Sequence, residues 1–205
     1  MRPRSPLQTL MLVAAVATNA VAQQPKGALG IEEARRGGVV IACRHAMTES
    51  ADEDEKTLQY DDPSTQRRLS EEGERQAGAL GKAFRDLRIP IGEVIASPMQ
   101  RTRRTAELAF GRAELDSSWH TRGDYYGGPK RELRLEILGR PVHGGNRVIF
   151  SHIGTMYSVL PSIRGELEEG DCVVVRPLGQ SRYDIVEVVP WRSWVQAAEA
   201  KSRDY

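Results

Sequence analysis

Four basic side chains in this 205-residue chain stand where apolar runs stop, and they are of the types that hold a phosphate. Residues 39–43 form a continuous apolar run ending at Arg44-His45; residues 94–96 run into Ser97-Pro98, with Arg101 one helical turn further; residues 147–150 lead into Ser151-His152. Such runs are the mark of strands buried on both faces, and open α/β sheets bind ligands at the carboxyl edge of their strands. Singly, an arginine at a strand end reads as a solvated charge and a lone histidine as a satisfied structural residue. Converging on one sheet edge, they read as a site. Two guanidinium forks and an imidazolium grip a phosphate dianion through bidentate, charge-assisted hydrogen bonds. A second imidazole can attack phosphorus in line, giving a phosphohistidine that water hydrolyses. Nearby guanidinium charge keeps that imidazole unprotonated, and the leaving alkoxide requires a carboxylic acid on the opposite side.

The elements that must position these groups follow from pattern. Residues 31–36 read as a short helix ending at Gly37-Gly38, after a loose leader at 23–29. Residues 48–68 are polar and acid-rich, a surface loop beside the first strand end. Ser70 is an N-cap for a helix through Leu87, with Ala77, Leu80, Phe84 and Leu87 on one apolar stripe. Pro98 suits the first turn of a helix through about Phe110. Residues 121–129 read as a loop, 131–138 as a helix closed by Gly139, and 153–160 as the helix after the third strand. Residues 172–175 and 183–189 read as a hairpin, and 191–200 as a closing helix. Strands alternating with helices predict a three-layer α/β/α sandwich with a largely parallel sheet.

These residues resemble a known family. Cys43-Arg44-His45-Ala46-Met47-Thr48 is similar to the R-H-G-x-T signature of the histidine phosphatase superfamily, which has the phosphoglycerate mutase-like fold. The segment from Ser97-Pro98 through Arg101 to Thr105-Ala106 resembles its S-P-x-x-R-x-x-x-T-A element, and Phe150-Ser151-His152 its late strand–His element. Leu69-Ser70-Glu71-Glu72-Gly73 with Gln76-Ala77 resembles the helix between the first two. The resemblance spans about residues 38–176. It implies His45 as nucleophile, and Arg44, Arg101 and His152 as the phosphate pocket, with a hydroxyl from Thr48. Ser97 is expected to order its turn, and Thr105 and Ala106 to pack. Ala46 departs from the family's glycine, at little cost unless the backbone there needs a positive φ.

The proton donor is the open choice. Asp116, Asp124, Glu132 and Glu136 compete, and Asp124 is favoured because it lies in a loop flanked by Gly123, Gly127 and Gly128. Glu132 and Glu136 read as a solvated, ion-paired helix face. The acidic stretch 49–55 reads as a solvated loop that would repel polyanionic substrates if it rimmed the pocket. His120 and His143 fit no metal-ligand spacing and read as surface residues; no metal or other cofactor is expected.

Composition bounds the rest. At 40% hydrophobic and 28% charged, the chain is of ordinary globular make-up. Arg2 and Arg4, the apolar run 10–17 and Ala20-Val21-Ala22 have the form of a secretory signal peptide over residues 1–22. The run is too short for a bilayer-spanning helix. A single domain over 23–205 and export to the periplasm or medium are the expectations, without stable membrane insertion after cleavage. Loss of Arg2 and Arg4 takes the 29 basic groups to 27 against 28 acidic ones, and no polybasic field for nucleic acid is present. Cys43 and Cys172 are equally readable as a pair or as two buried thiols. The expected partner is a small phosphorylated substrate and the expected activity a metal-independent phosphomonoesterase. The alternative is a phosphate-binding module of the same fold with impaired turnover.

Overall fold

The computed structural model describes residues 25–49, 60, 62–120 and 129–203. Along the chain come α1 (Ala28–Arg36), β1 (Val40–Arg44), α2 (Glu71–Asp86), β2 (Ile91–Ala96), α3 (Gln100–Phe110), β3 (Glu114–Leu115), α4 (Pro129–Gly139), β4 (Asn146–Ser151), α5 (Ile153–Val159), β5 (Cys172–Gly179), β6 (Arg182–Val189) and α6 (Trp191–Arg203). Short 3-10 turns stand at Pro63–Thr65, Ser117–Trp119 and Pro161–Ile163. The strands form one six-stranded sheet in the order β3-β2-β4-β1-β5-β6. β3, β2, β4 and β1 run parallel, while β5 and β6 are antiparallel. The sheet is therefore mostly but not wholly parallel, as the sequence pattern predicts.

Both faces are covered. Ile41, Cys43, Val148 and Phe150 point to the side where α1, α2, α3 and α6 contribute Ile31, Leu80, Phe84, Ala106 and Trp194. Val40, Ala42, Ile149 and Val173 point to the side of α4 and α5, against Leu138, Met156 and Val159. Alternate residues of one apolar run thus feed two cores, which is why these strands lack polar alternation. The stripe Ala77, Leu80, Phe84 and Leu87 is buried throughout, and Ser70 caps its helix by accepting from Gly73 N–H at 3.0 Å. Among the described residues no helix is long and apolar enough to cross a membrane.

Three local expectations need correction. α1 begins at Ala28, inside the stretch read as leader. α3 begins at Gln100 with Met99 as its N-cap, so Pro98 precedes the helix; the first N–H is capped from a distance, Gln100 N–H donating to Gln66 Oε1 at 2.6 Å. The two-residue β3 and the turn at Ser117–Trp119 were not anticipated. Residues 1–22, and most of the acidic stretch 49–55, lie outside the described residues.

The topology places the site. β1 and β4 are neighbours, with Arg44 opposite Ser151. α2 follows β1 on one face and α5 follows β4 on the other. Successive helices leaving to opposite faces open a crevice at the strand ends, where doubly wound sheets bind ligands. On the other flank of β1, Cys43 faces Cys172 across the antiparallel pair with β5, and the two are joined as a disulfide.

Candidate active site

The segment after β1 is held by hydrogen bonds from every side. His45 N–H donates to Ser151 O at 3.0 Å and Arg44 N–H to Asp171 O at 2.9 Å. Ala46 N–H donates to Thr105 Oγ1 at 3.1 Å, and Met47 N–H to Gln76 Oε1 at 2.9 Å. Thr105 in turn donates to Arg101 O at 2.6 Å. A Cβ on Gly73 would lie 1.9 Å from Met47 O. The glycine and glutamine of the α2 motif thus have one physical task, letting the helix seat against the signature loop and satisfy its backbone.

His45 is 2% exposed. Its Nδ1 lies 2.9 Å from Ala46 O. A carbonyl only accepts, so Nδ1 carries the hydrogen and Nε2 keeps its lone pair. Burial, then the charge of Arg101, holds the ring's pKa well below its ordinary value, with Arg44 and Arg67 adding to it and the Ala46 hydrogen bond opposing. An unprotonated imidazole with a free Nε2 is what nucleophilic attack requires.

His152 stands beside it, ring centroids 5.6 Å apart. Its Nε2 lies 2.9 Å from Ser97 Oγ, which also accepts from Met99 N–H at 3.4 Å. Ser97 therefore orders its turn and fixes the His152 ring as well. His152 Nδ1 is buried with no hydrogen-bond partner among the described residues, and the same is true of Arg44 Nε. Buried donors left without a partner are costly. Burial first, then Arg101, depresses the pKa of His152 too. Arg101 itself is 6% exposed on α3. Arg44, His45, Arg101 and His152 are brought to one place.

Thr48 joins them differently from expectation. Its hydroxyl donates to Glu169 Oε1 at 3.0 Å and its N–H to Glu169 Oε2 at 3.3 Å. Glu169 also accepts from Arg44 Nη2 at 3.2 Å. This glutamate escaped the sequence reading, as did Arg67, whose charge reaches both rings.

Of the acid candidates, Asp124 lies outside the described residues. Asp116 is committed to its turn, accepting from Ser118 N–H at 2.7 Å. Glu132 and Glu136 are exposed on α4, Glu132 beside Arg131. His120 is not a surface residue. It is 7% exposed, packs edge-on to His152 at 5.5 Å and meets Tyr60 Oη at 2.7 Å through Nδ1. Trp119, fully buried, carries it inward. His143 is exposed, as expected.

Comparison with known proteins bears on this geometry. Residues 40–122 match the model of the histidine phosphatase superfamily, branch 1. The solved protein histidine phosphatase SixA with tungstate superposes with a TM-score of 0.57 at 14% identity, over 75% of this chain and 97% of that one. The chain has the histidine phosphatase fold. A phosphoserine phosphatase from Entamoeba histolytica, solved as a mutant in complex with phosphoserine, gives 0.54 at 14% identity over 76% of this chain and 98% of that one. A structure described as a putative α-ribazole-5′-phosphate phosphatase from Escherichia coli gives 0.55 at 12% identity over 76% and 97%. No curated protein sequence matches the chain. In the histidine phosphatase fold of this chain, the matched segment carries Arg44, His45 and Arg101, and His152 follows β4 beyond it.

Proposed function

We propose that this protein is a phosphomonoester hydrolase working through a phosphohistidine on His45. The observation that carries the reading is the state of that ring: Nδ1 is spent on Ala46 O, and Nε2 is left free beside Arg44, Arg101 and His152. Arg44 Nε and His152 Nδ1 would take the oxygens of the transferring group, whose charge the guanidinium groups neutralise. Nε2 forms a bond to phosphorus as the ester P–O bond breaks, and the departing oxygen takes a proton from a carboxylic acid, which we assign to Asp124. Water then attacks the phosphohistidine, releasing phosphate and restoring the ring. The reaction is proposed to need no metal.

Support for a phosphorylated substrate comes from the names of the structural neighbours, phosphatases described as acting on or holding phosphohistidine, phosphoserine and a ribazole phosphate. We further propose that residues 1–22 are a signal peptide, that 23–205 form one domain, and that the protein is exported. An oxidising compartment agrees with the Cys43–Cys172 disulfide.

The test is acid-free quenching into denaturant after brief mixing with a radiolabelled phosphomonoester. Base-stable, acid-labile label on the wild type and none on His45→Ala is expected, with turnover indifferent to chelator and blocked by vanadate. Phosphate binding without label or hydrolysis across a broad panel of phosphomonoesters would leave the binding-module reading in its place.

A further inference from the structure

Glu169 is a residue at this site that the phosphoryl-transfer scheme does not use. Its carboxylate gathers three donors from the signature segment, Arg44 Nη2 at 3.2 Å, Thr48 Oγ1 at 3.0 Å and Thr48 N–H at 3.3 Å. Oε1 also lies 3.9 Å from His45 Nδ1. We infer that Glu169 is a positioning residue for the proposed phosphoryl transfer, orienting Arg44 and Thr48 and balancing the positive charge that His45 acquires on phosphorylation, at the expense of phosphate affinity.

The carboxylate is set in place by its backbone. Gln76 Nε2 donates to Glu169 O at 2.8 Å while its Oε1 accepts from Met47 N–H, so one buried amide ties the turn to the signature loop. Gly170 N–H donates to His45 O at 2.9 Å, and Asp171 O accepts from Arg44 N–H. Gly170 has φ +88°, and a Cβ there would lie 2.3 Å from Gln76 Nε2. Cys172, next in line, is bonded to Cys43. Four consecutive residues, 169–172, therefore each grip the 43–48 segment. A side chain mounted this way is held in register with the nucleophile.

The geometry also assigns the direction of its effect. Glu169 lies on the Nδ1 side of the ring, away from Nε2, and it takes Arg44 Nη2 while Nε has no partner among the described residues. When Nε2 bonds to phosphorus and the ester oxygen leaves with the electron pair, Nδ1 keeps its hydrogen and the ring becomes cationic. A carboxylate at that distance favours the cation. When water releases phosphate, the ring returns to neutral and the favourable interaction is given up. The same carboxylate offsets Arg44, so the unreacted pocket attracts a free dianion less than its arginines alone would. Phosphate, the product, is then held less tightly, and the stabilisation falls on the reacting state.

The inference rests on His45 being the phosphoryl acceptor, and the experiment separates the two. Inorganic phosphate is titrated calorimetrically into the full-length wild type and Glu169→Gln, and turnover of p-nitrophenyl phosphate is measured on both. Glu169→Gln keeps the shape and removes the charge. We expect phosphate to bind several-fold more tightly while kcat falls about tenfold. Glu169→Ala, with coincident thermal unfolding as the check on folding, should lose more in kcat because Arg44 and Thr48 are also released. A merely structural Glu169 would loosen phosphate and slow turnover together; that result, or no change in either quantity, overturns the inference while leaving the phosphatase reading intact. A wild type that hydrolyses the ester without ever labelling His45 overturns both.

Discussion

Two arginines at opposite ends of the sheet, one fully buried and one partly buried, show what separates a stabilising charge from a reactive one. Arg147, at the start of β4, is fully buried with every guanidinium nitrogen hydrogen-bonded: Nε and Nη2 clasp Glu93 at 2.6 and 3.0 Å, and Nη1 donates to Ile137 O and Arg140 O. Asn146 beside it likewise bonds Val39 N–H, Ala34 O and Pro90 O. Arg44, at the end of β1, spends Nη2 on Glu169 and has an Nε with no partner among the described residues. His152 Nδ1 is in the same condition, and both site histidines are held neutral by burial and by Arg101. Closed networks define structure; open ones are built for something that arrives.

Breaking each arginine should give opposite outcomes. Arg44→Ala is expected to cut phosphomonoester turnover about 10³-fold, some 4 kcal/mol of barrier, while the unfolding midpoint in denaturant hardly moves. Arg147→Ala removes a paired buried cation and should cost about 3 kcal/mol of stability, at the low end for such pairs because Glu93 is partly exposed and can be rehydrated; kcat of the folded fraction should be unchanged. Equal losses of both quantities in both variants would erase the distinction.

The disulfide sits where the two regimes meet. Cys43→Ser with Cys172→Ser should lower stability by about 2–3 kcal/mol, since the link closes a loop of sequence separation 129. It should also lower kcat by loosening the 169–172 turn, a loss that Arg147→Ala does not share.

Acidity should act on the open end first. The native pKa values of His45 and His152 lie well below their unfolded values. The unfolded chain therefore binds more protons, and the stability from these rings, present above about pH 6.5, is lost as pH falls below it, by at most about 1.4 kcal/mol per pH unit for each ring. Glu93 has a lowered pKa through its hydrogen bond to Arg147. Its contribution is present above the ordinary glutamate range and disappears only at lower pH. Thermal unfolding between pH 8 and 3 should resolve two successive declines, and His45→Gln with His152→Gln should remove the upper one alone.

Most of the open end was legible in the sequence, because strand ends follow from apolar runs and three of the four motif segments sit on them, the fourth lying on α2. The unreadable part depended on tertiary register. Glu169 sits far from Arg44 in sequence and meets it because β5 runs antiparallel to β1, with Cys172 opposite Cys43; an acidic pair before an apolar run was the only trace. His120 looked like a surface histidine because its burial depends on where Trp119 anchors the turn. The start of α3 was misplaced because Ser97 spends its hydroxyl on His152 and Met99 N–H, leaving the cap to Gln66. β3, two residues long, carries no periodicity to detect.

The smallest expected effect concerns Ala46, where the family signature has glycine. The positive-φ non-glycine residues of the described chain are Arg88, Gln180 and Ser181. Ala46 therefore uses backbone that any residue adopts, and its methyl group is buried with Leu69 and Ala77. Ala46→Gly should destabilise by about 1 kcal/mol, from one lost methyl and a freer unfolded chain, and turnover should stay within about twofold because Thr105 holds the Ala46 N–H whatever the side chain. A rise of tenfold or more in kcat would show that the methyl group obstructs the pocket. In that case the open end of the sheet is less complete than its four basic residues suggest.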